Sequence, residues 1–563
     1  MRNLGIIALA AAIIALSASA SAQTIVSANV VANTTWGPGE IVLQNPIFVI
    51  GATLTIQPGT IIRGQPRQGI TPLSPSNYPG ALIVTRTGRI IAIGNTLQPI
   101  IFTTAATDNN NDGIADTNVG NSFLREWTPG DLFLDDAPAA APLAPINKAG
   151  FGNVRLWGGV VILGNAPTNL AARTGAYGEG TVEGLTAYGP APVNASYGGL
   201  EPHDDSGTLR FVSIRHAGDE IVPNNELNGL SLGGVGDGTV LENIEIYCNH
   251  DDGIQWFGGT VNGKNLAAFF VGDDSFHMDQ GYTGVNQFMF SIQPFFNTLE
   301  PSGAFGQASG DKVAELEGDD YRPDDAAFFD NLNIRNDVTQ LIIDTTPWPL
   351  SSAVIYNLTA IGSTPDVPNP ALPLGITAAA ANRGLQMRNG FAGQVRNSIV
   401  VNTGTARGFE LVVPVPPDED GISGFNVADN ATNGLISLYC STLQNTAAIS
   451  NPSAEQTAID NGNNEFTTTS DNNTINLAGF NGLQNESTYF DPTGNAAGKL
   501  DATLKPVPIN PRPNAGIIGT GGCVAPKGPG LSGATYRGAF ERVAPVLWTT
   551  DWTALSIGGL LAD

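Results

Sequence analysis

Two short stretches place paired aspartates beside a histidine: CNHDDGIQW at 248–256 and GDDSFHM at 272–278. At an offset of 22 residues Asp251 falls on Asp273 and Asp252 on Asp274, with His250 and His277 close by. Carboxylates this near one another must bind a cation, share protons or accept backbone N–H bonds, because adjacent like charges disfavour ionisation. Three kinds of chemistry follow. One carboxyl group could protonate a leaving oxygen while another activates water, with a histidine carrying protons. The cluster could hold a metal, or it could form only the polar corner of a turn. Asp252, Asp273, Asp274 and His277 are the catalytic candidates under the first reading.

A second acidic stretch, DNNNDGIAD (108–116), has the spacing of a calcium loop. Asp108, Asn110, Asp112 and Asp116 stand at positions 1, 3, 5 and 9, the Ile114 carbonyl at 7 and Gly113 at the sharp turn. Hard oxygen ligands so spaced suit Ca2+, and the stretch resembles the calcium loops of dockerin and thrombospondin type 3 repeats. Val119 occupies position 12, where an EF-hand carries a bidentate glutamate, so that ligand must come from elsewhere. A structural ion is expected. The other two of the four histidines carry less: His216 falls on an inward column and His203 in a loop. No Ser-His-Asp, zinc or phosphate-loop signature is present.

A repeat must position the aspartates. Laying NIEIYCNHDDGIQW (243–256) over NLAAFFVGDDSFHM (265–278) matches Ile244 with Leu266, Ile246 with Ala268, Cys248 with Phe270 and Ile254 with Phe276. A further 22 residues puts Phe288, Phe290 and Ile292 on the same inward column; Val212, Ile214 and His216 occupy it upstream, at an offset of 32. Such alternation marks short strands with one buried face. A period of roughly 20 to 25 residues makes each unit one coil of a solenoid, stacked at about 4.8 Å. Trp256 and Met278 have core parity, and Phe257 is expected at the surface. With no helical stretch between strands, an all-β parallel β-helix is favoured over a leucine-rich repeat. Related coils recur at 51–64, 80–94, 155–167, 354–362 and 393–411. Asn243, Asn357 and Asn397 each precede an apolar strand and are expected to stack as a side-chain ladder.

A solenoid must cover its ends. TTWGPGEIVLQ (34–44) is read as an N-terminal cap, and Tyr536, Phe540, Trp548 and Trp552 as a plug for the last coil. Insertions are placed near 104–150, 166–207, 298–330 and 413–430, where function is usually carried. The expected divisions are a signal peptide at 1–22, the β-helix at 23–430 and an irregular Asn-, Gly- and Pro-rich region at 431–563.

Composition agrees. Charged residues are 13% of 563, with 68 glycines and 38 prolines, far from the make-up of a helical bundle. The first stretch has Arg2, an apolar run from Leu4 to Leu16 and Ala20-Ser21-Ala22, the pattern of a cleaved signal peptide. No segment approaches the about 20 apolar residues of a membrane span. Without Arg2, 24 basic residues face 51 acidic ones, 24 − 51 = −27. That charge repels nucleic acid and anionic lipid. Of three cysteines, Cys440 and Cys523 are paired and Cys248 is a buried small hydrophobe in this reading.

Across most of residues 40–430 the chain resembles the pectate-lyase-like superfamily of right-handed parallel β-helices. It is similar to secreted bacterial proteins that open with GATLTIQPGTIIRG and end in YRGAF…WTTDWTAL. The superfamily holds lyases, hydrolases and adhesins, so the resemblance implies fold more than activity. Its polygalacturonases carry an N-T-D coil followed by a paired D-D. Asn249 and Asp252 match the first motif, Asp273 and Asp274 the second, which implies glycoside hydrolysis. The family's G-H-G and R-I-K motifs have no counterpart, Phe295 and Phe296 replace acids on the next coil, and Lys264 is the one cation found near the ladder. The reading is therefore an exported, calcium-stabilised β-helix at the cell surface or in the matrix, with a glycan or surface component as partner. The alternative is a polysaccharide lyase or glycoside hydrolase using 249–279.

Overall fold

The computed structural model of the chain describes residues 23–66, 78–105, 154–170, 179–182, 185–188, 194–222, 225–293, 296–298, 310–318, 350–362, 376–378, 383–401, 403, 407–412, 436–446, 465–468, 510–513, 523, 525–526, 530–557 and 561. The signal peptide and the calcium loop at 108–116 lie outside these residues, as does Phe295.

The chain winds as a parallel β-helix. One coil runs from Leu230–Gly233 to Val240–Tyr247, turns through 248–253, and reaches Ile254–Phe257, which begins the next. All neighbours in the two large sheets pair in parallel. One has nine strands, from Pro46–Val49 to Phe409–Leu411; the other has 17. Side chains alternate across the nine-stranded sheet. Leu230, Leu232, Ile254, Trp256, Phe276, Met278, Ala314, Leu316, Leu385 and Met387 point into one continuous core. Stacked apolar residues of this kind bury at about 25 cal/mol per Å2.

The 22-residue register holds between Ile244 and Leu266. Leu266 then pairs with Met289, not Phe288. Asp279 still pairs with Phe257, while Asn286 pairs with Gly263, so one extra residue lies in the intervening turn. Because side chains have period two, a slip of one residue exchanges faces. Phe290 and Ile292 consequently join an outer apolar cluster with Tyr247, Cys248, Phe269 and Phe270.

Phe288 instead occupies a bend. Phe211, Asn243, Asn265, Phe288, Asn357 and Asn397 share positive φ values of 50–60°, one per coil. Asparagine tolerates that left-handed conformation better than most residues. The expected ladder forms in part: Asn265 Nδ2 donates to Asn243 Oδ1 at 2.9 Å and Gln287 Nε2 to Asn357 Oδ1 at 3.1 Å, whereas the Asn357 and Asn397 amides donate to the Tyr536 and Ala534 carbonyls at 2.6 and 3.4 Å. Cys248 lies at a second such bend with His216 and Phe270, φ 52°, 59° and 56°. It is free and buried, but under the outer cluster rather than in the core; Cys440 and Cys523 form a disulfide.

The ends differ from expectation. Thr34–Trp36 pairs with Thr53–Ile56, and Glu40–Leu43 lies between Thr24–Val26 and Ile61–Gly64, so 34–44 is a coil and not a cap. Strands Ser437–Tyr439, Thr442–Thr446 and Glu465–Thr468 extend the sheet past residue 430. The C-terminal aromatics do not plug the last coil. They return along the outside of the 17-stranded sheet, where Phe540 packs on Phe290, Tyr536 stacks on Phe288 and Trp552 meets Phe211 edge-on. There the backbone N–H groups of Ala554 and Leu555, in the short helix Ala554–Ile557, reach the buried Glu245 carboxylate at 2.8 and 3.5 Å. The insertion after residue 166 covers the apolar outer face of the earlier coils, burying Phe257 beneath Tyr197 at 6.0 Å between ring centroids. No helix among the described residues is long and apolar enough to cross a membrane.

Candidate functional site

Along the nine-stranded sheet the outward column changes character. Phe48, Ile83 and Val161 are apolar and covered. Further along the axis the paired positions read Ser231, Gln255, His277, Glu315, Gln386 and Glu410. Asp279, Glu317 and Arg388 form a second column two residues on. A hydrophobic inward face fixes these polar groups on a rigid wall, one coil apart.

The paired aspartates occupy the corner leading into this wall. Asp252 is buried; its Oδ1 accepts the Asp274 N–H at 2.9 Å and its Oδ2 lies 2.9 Å from His277 Nδ1. Asp274, also buried, repeats the pattern one coil on, its Oδ1 accepting the Lys312 N–H at 2.8 Å. The Lys312 ammonium lies 3.3 Å from Asp274, 2.7 Å from Asp311 and 3.4 Å from Glu315. Asp251 and Asp273 are half-buried at the same corner. The sequence-predicted set Asp252, Asp273, Asp274 and His277 is thus brought together.

His277 is the hub. Gln255 Nε2 is 3.2 Å from Nδ1, while Nε2 faces Glu317 at 3.5 Å and Glu315 at 3.8 Å. Arg388 lies 3.1 Å from both glutamates, and Asn389 Nδ2 donates to Glu317 Oε1. Arg383 reaches Asp311 at 3.0 Å and Glu410 at 2.9 Å, and Arg407 also pairs with Glu410.

Charge states follow from these neighbours. Burial alone would lower the imidazole, but Asp252, Glu317 and Glu315 outweigh it and hold His277 well above its usual value. Burial would raise Glu317, yet His277 and Arg388 bring it down to about 2. Burial and the neighbouring acids push Asp251 and Asp274 well above the carboxylate range, Lys312 opposing this at Asp274. Burial and Asp252 push Asp273 up to about 7. Lys312 is held above its usual value, burial notwithstanding, by Asp274, Glu315 and Asp311.

Three expectations change here. Lys264 stands on the other sheet, donating to the Gly530 carbonyl at 3.2 Å. Among the described residues, Lys312 and Arg388 are cations at the ladder, with Arg383 and Arg407 further along the wall. The supposed insertion at 298–330 contains a coil strand, Lys312–Glu317, that stacks on Phe276–Asp279. Sequence reasoning missed these residues because long inserts break the period, although Ala314 and Leu316 alternate with Glu315 and Glu317 as a strand should. His250 is apart from the hub, and burial with Arg155 nearby lowers it to about 4. His203 meets Asp237 at 2.7 Å in an exposed loop.

Several triads of these side chains have ligand atoms close enough to share one ion: Asp252, Asp274 and His277; His277, Glu315 and Glu317; Asp251, Asp252 and Asp273; Asp273, Asp274 and Asp311.

No curated protein sequence matches the chain. Among solved structures, the crystal structure of the periplasmic alginate epimerase AlgG is similar at 8% identity and a TM-score of 0.22, over 74% of this chain and 76% of that one. Residues 152–481, more than half of the chain, match the family model described as the pectate-lyase like beta helix domain, and the chain belongs to that family.

Proposed function

We propose that the protein is exported and acts at the cell surface or in the extracellular matrix as a calcium-stabilised β-helix that binds glycan or another surface component. The observation that carries a binding role is the engagement of the aspartates. Asp252 and Asp274 each accept a backbone N–H from the next coil, and an acid committed to that bond is poorly placed to deliver a proton. The imidazole faces carboxylates on both sides, which holds its proton too firmly for a base. Toward solvent stand Asp311 and Arg383, paired across successive coils, and Arg388 at the other end of the Arg383 strand, charged groups held on a rigid wall. A polymer of polar units suits such a wall. The apolar run at 4–16 supports export, and DNNNDGIAD supports calcium.

One observation favours a second reading, cleavage of a polysaccharide. Asp273 is free of the backbone bonds that hold Asp252 and Asp274, its carboxyl is pushed up to about 7, and the Lys312 ammonium is near. A carboxyl group poised near neutrality can serve as acid or base. A polysaccharide panel, assayed for both retention and new reducing or unsaturated ends, separates the readings. Retention without products is expected. Product formation abolished in Asp273→Asn, with an unchanged melting curve, would establish cleavage instead.

A further inference from the structure

We propose that His277 Nε2 and the carboxylates of Glu315 and Glu317 form a binding site for one divalent transition-metal ion, of the Zn2+ class. The inference is independent of the surface-binding reading and of the calcium loop. It rests on three observations.

The first is spacing. Nε2 lies 3.5 Å from Glu317 Oε2 and 3.8 Å from Glu315 Oε2, too long for good hydrogen bonds. Ligands about 2.1 Å from one tetrahedral ion stand roughly 3.4 Å apart, so the ion fits between these atoms with small adjustments. The Nε2 atom is buried and makes no well-formed hydrogen bond.

The second is orientation. Each ligand has a polar or charged neighbour at its other heteroatom, a hydrogen bond for His277 and Glu317 and ion pairs for Glu315, as ligating groups usually do. His277 Nδ1 is held by Asp252 Oδ2 at 2.9 Å, which fixes the ring and aims Nε2 at the glutamates. Glu315 Oε1 faces the Lys312 and Arg388 cations at 3.4 and 3.1 Å as ion pairs without a formed hydrogen bond, leaving Oε2 toward the histidine. Glu317 Oε1 takes the Asn389 amide; its Oε2 faces His277 and also Arg388, 3.1 Å away. Arg388 must yield one contact when the ion binds.

The third is chemistry. One imidazole nitrogen and two carboxylates select a borderline first-row ion over Ca2+, which prefers an all-oxygen shell. The ion joins Lys312 and Arg388 in countering the two glutamates, and it takes the Nε2 lone pair.

The test uses the full, untagged chain at pH 7.5 with Zn2+, Co2+ and Ca2+ as probes. One equivalent of Zn2+ should bind, measured calorimetrically. Co2+ should give visible d–d absorption of a nitrogen- and oxygen-ligated ion. His277→Gln and Glu317→Gln should each weaken Zn2+ binding at least tenfold, and Ca2+ binding should be unaffected by either. Should both variants misfold, the stoichiometry of Zn2+ binding and the Co2+ spectrum of the unaltered protein decide the matter. Absence of stoichiometric Zn2+ binding, or binding unchanged in folded His277→Gln, overturns the proposal.

Discussion

The Asp274 backbone N–H donates to the Asp252 carboxylate across one full coil, at 2.9 Å, and Asp274 in turn receives the N–H of Lys312 at 2.8 Å. The acidic corner is a relay of side chains stitching successive coils, in the same sense that the asparagine column stitches the opposite bend. The two aspartates nevertheless differ in their further partners.

That difference predicts unequal responses to amide replacement. Asp274→Asn keeps the Lys312 N–H bond and takes one of three carboxylates from the Lys312 ammonium, which retains Asp311 and Glu315. Because burial already holds the Asp274 carboxyl well above the carboxylate range, the change should cost only about 1 kcal/mol. Asp252 faces the His277 imidazolium, and Asp252→Asn leaves that buried cation one partner short, costing about 3 kcal/mol. Urea titrations of the two variants measure both. Equal losses would mean that the pairing with His277 contributes no more than the pairing of Asp274 with Lys312.

Stability should fall as pH rises from the acid side. Asp251, Asp273 and Asp274 have folded values above their unfolded ones, so each stabilises fully below about 4 and loses that contribution as pH rises through its folded value, about 7 for Asp273. Glu317 runs the other way: brought down to about 2, it stabilises above its ordinary value of 4.5 and is lost as pH falls through 2. In chelator-treated buffer the melting temperature should therefore peak near pH 5 and drop by a few degrees toward pH 8. A maximum at pH 8 would contradict the assigned charge states.

Chelation addresses the other metal expectation. Removal of Ca2+ should lower the melting temperature, and Asp112→Ala should remove most of that effect, because losing one charged ligand weakens a hard-oxygen site. No response to chelator followed by Ca2+ addition would leave DNNNDGIAD as a turn.

Deleting residues 530–563 should expose the outer apolar cluster around Phe269, Phe290, Ile399 and Val401. Dye binding to exposed apolar surface and self-association are the expected readouts. Glu245→Ala is the finer test. It leaves the buried Arg215 guanidinium without its carboxylate, and the Ala554 and Leu555 amides without an acceptor, a loss of about 3–5 kcal/mol. A variant melting like the parent would show that the returning segment does not depend on this contact.

Local alternation made the fold legible. Ile244, Leu266 and Trp256 could be placed inward from the sequence, and asparagines before apolar strands marked the bend. The one-residue slip at Met289 was not legible, because a turn can absorb an extra residue without altering the flanking pattern. Cys248 had inward parity but itself adopts the left-handed bend, which interrupts the alternation and leaves it in the outer cluster. The paired aspartates announced themselves by adjacency. Their partners Glu315, Glu317 and Arg388 did not, since inserts separate them by 38 to 111 positions from His277 and only the stacked coils bring them together. Contacts set by stacking carry no mark of their distance in the chain.

The returning C-terminal segment changes how the molecule should unfold. In an open array each coil feels only its neighbours, so ends fray and partly melted forms accumulate. Here Ala554 holds Glu245 across 309 positions, Arg537 holds Thr442, and Gly538 holds the Asn397 backbone. A coil in the middle cannot open without detaching a tether that also grips the far end. These links convert a one-dimensional stack into a closed loop of dependencies, which favours an all-or-none transition. They also place the final commitment to the native state after residues 537–554 have been synthesised.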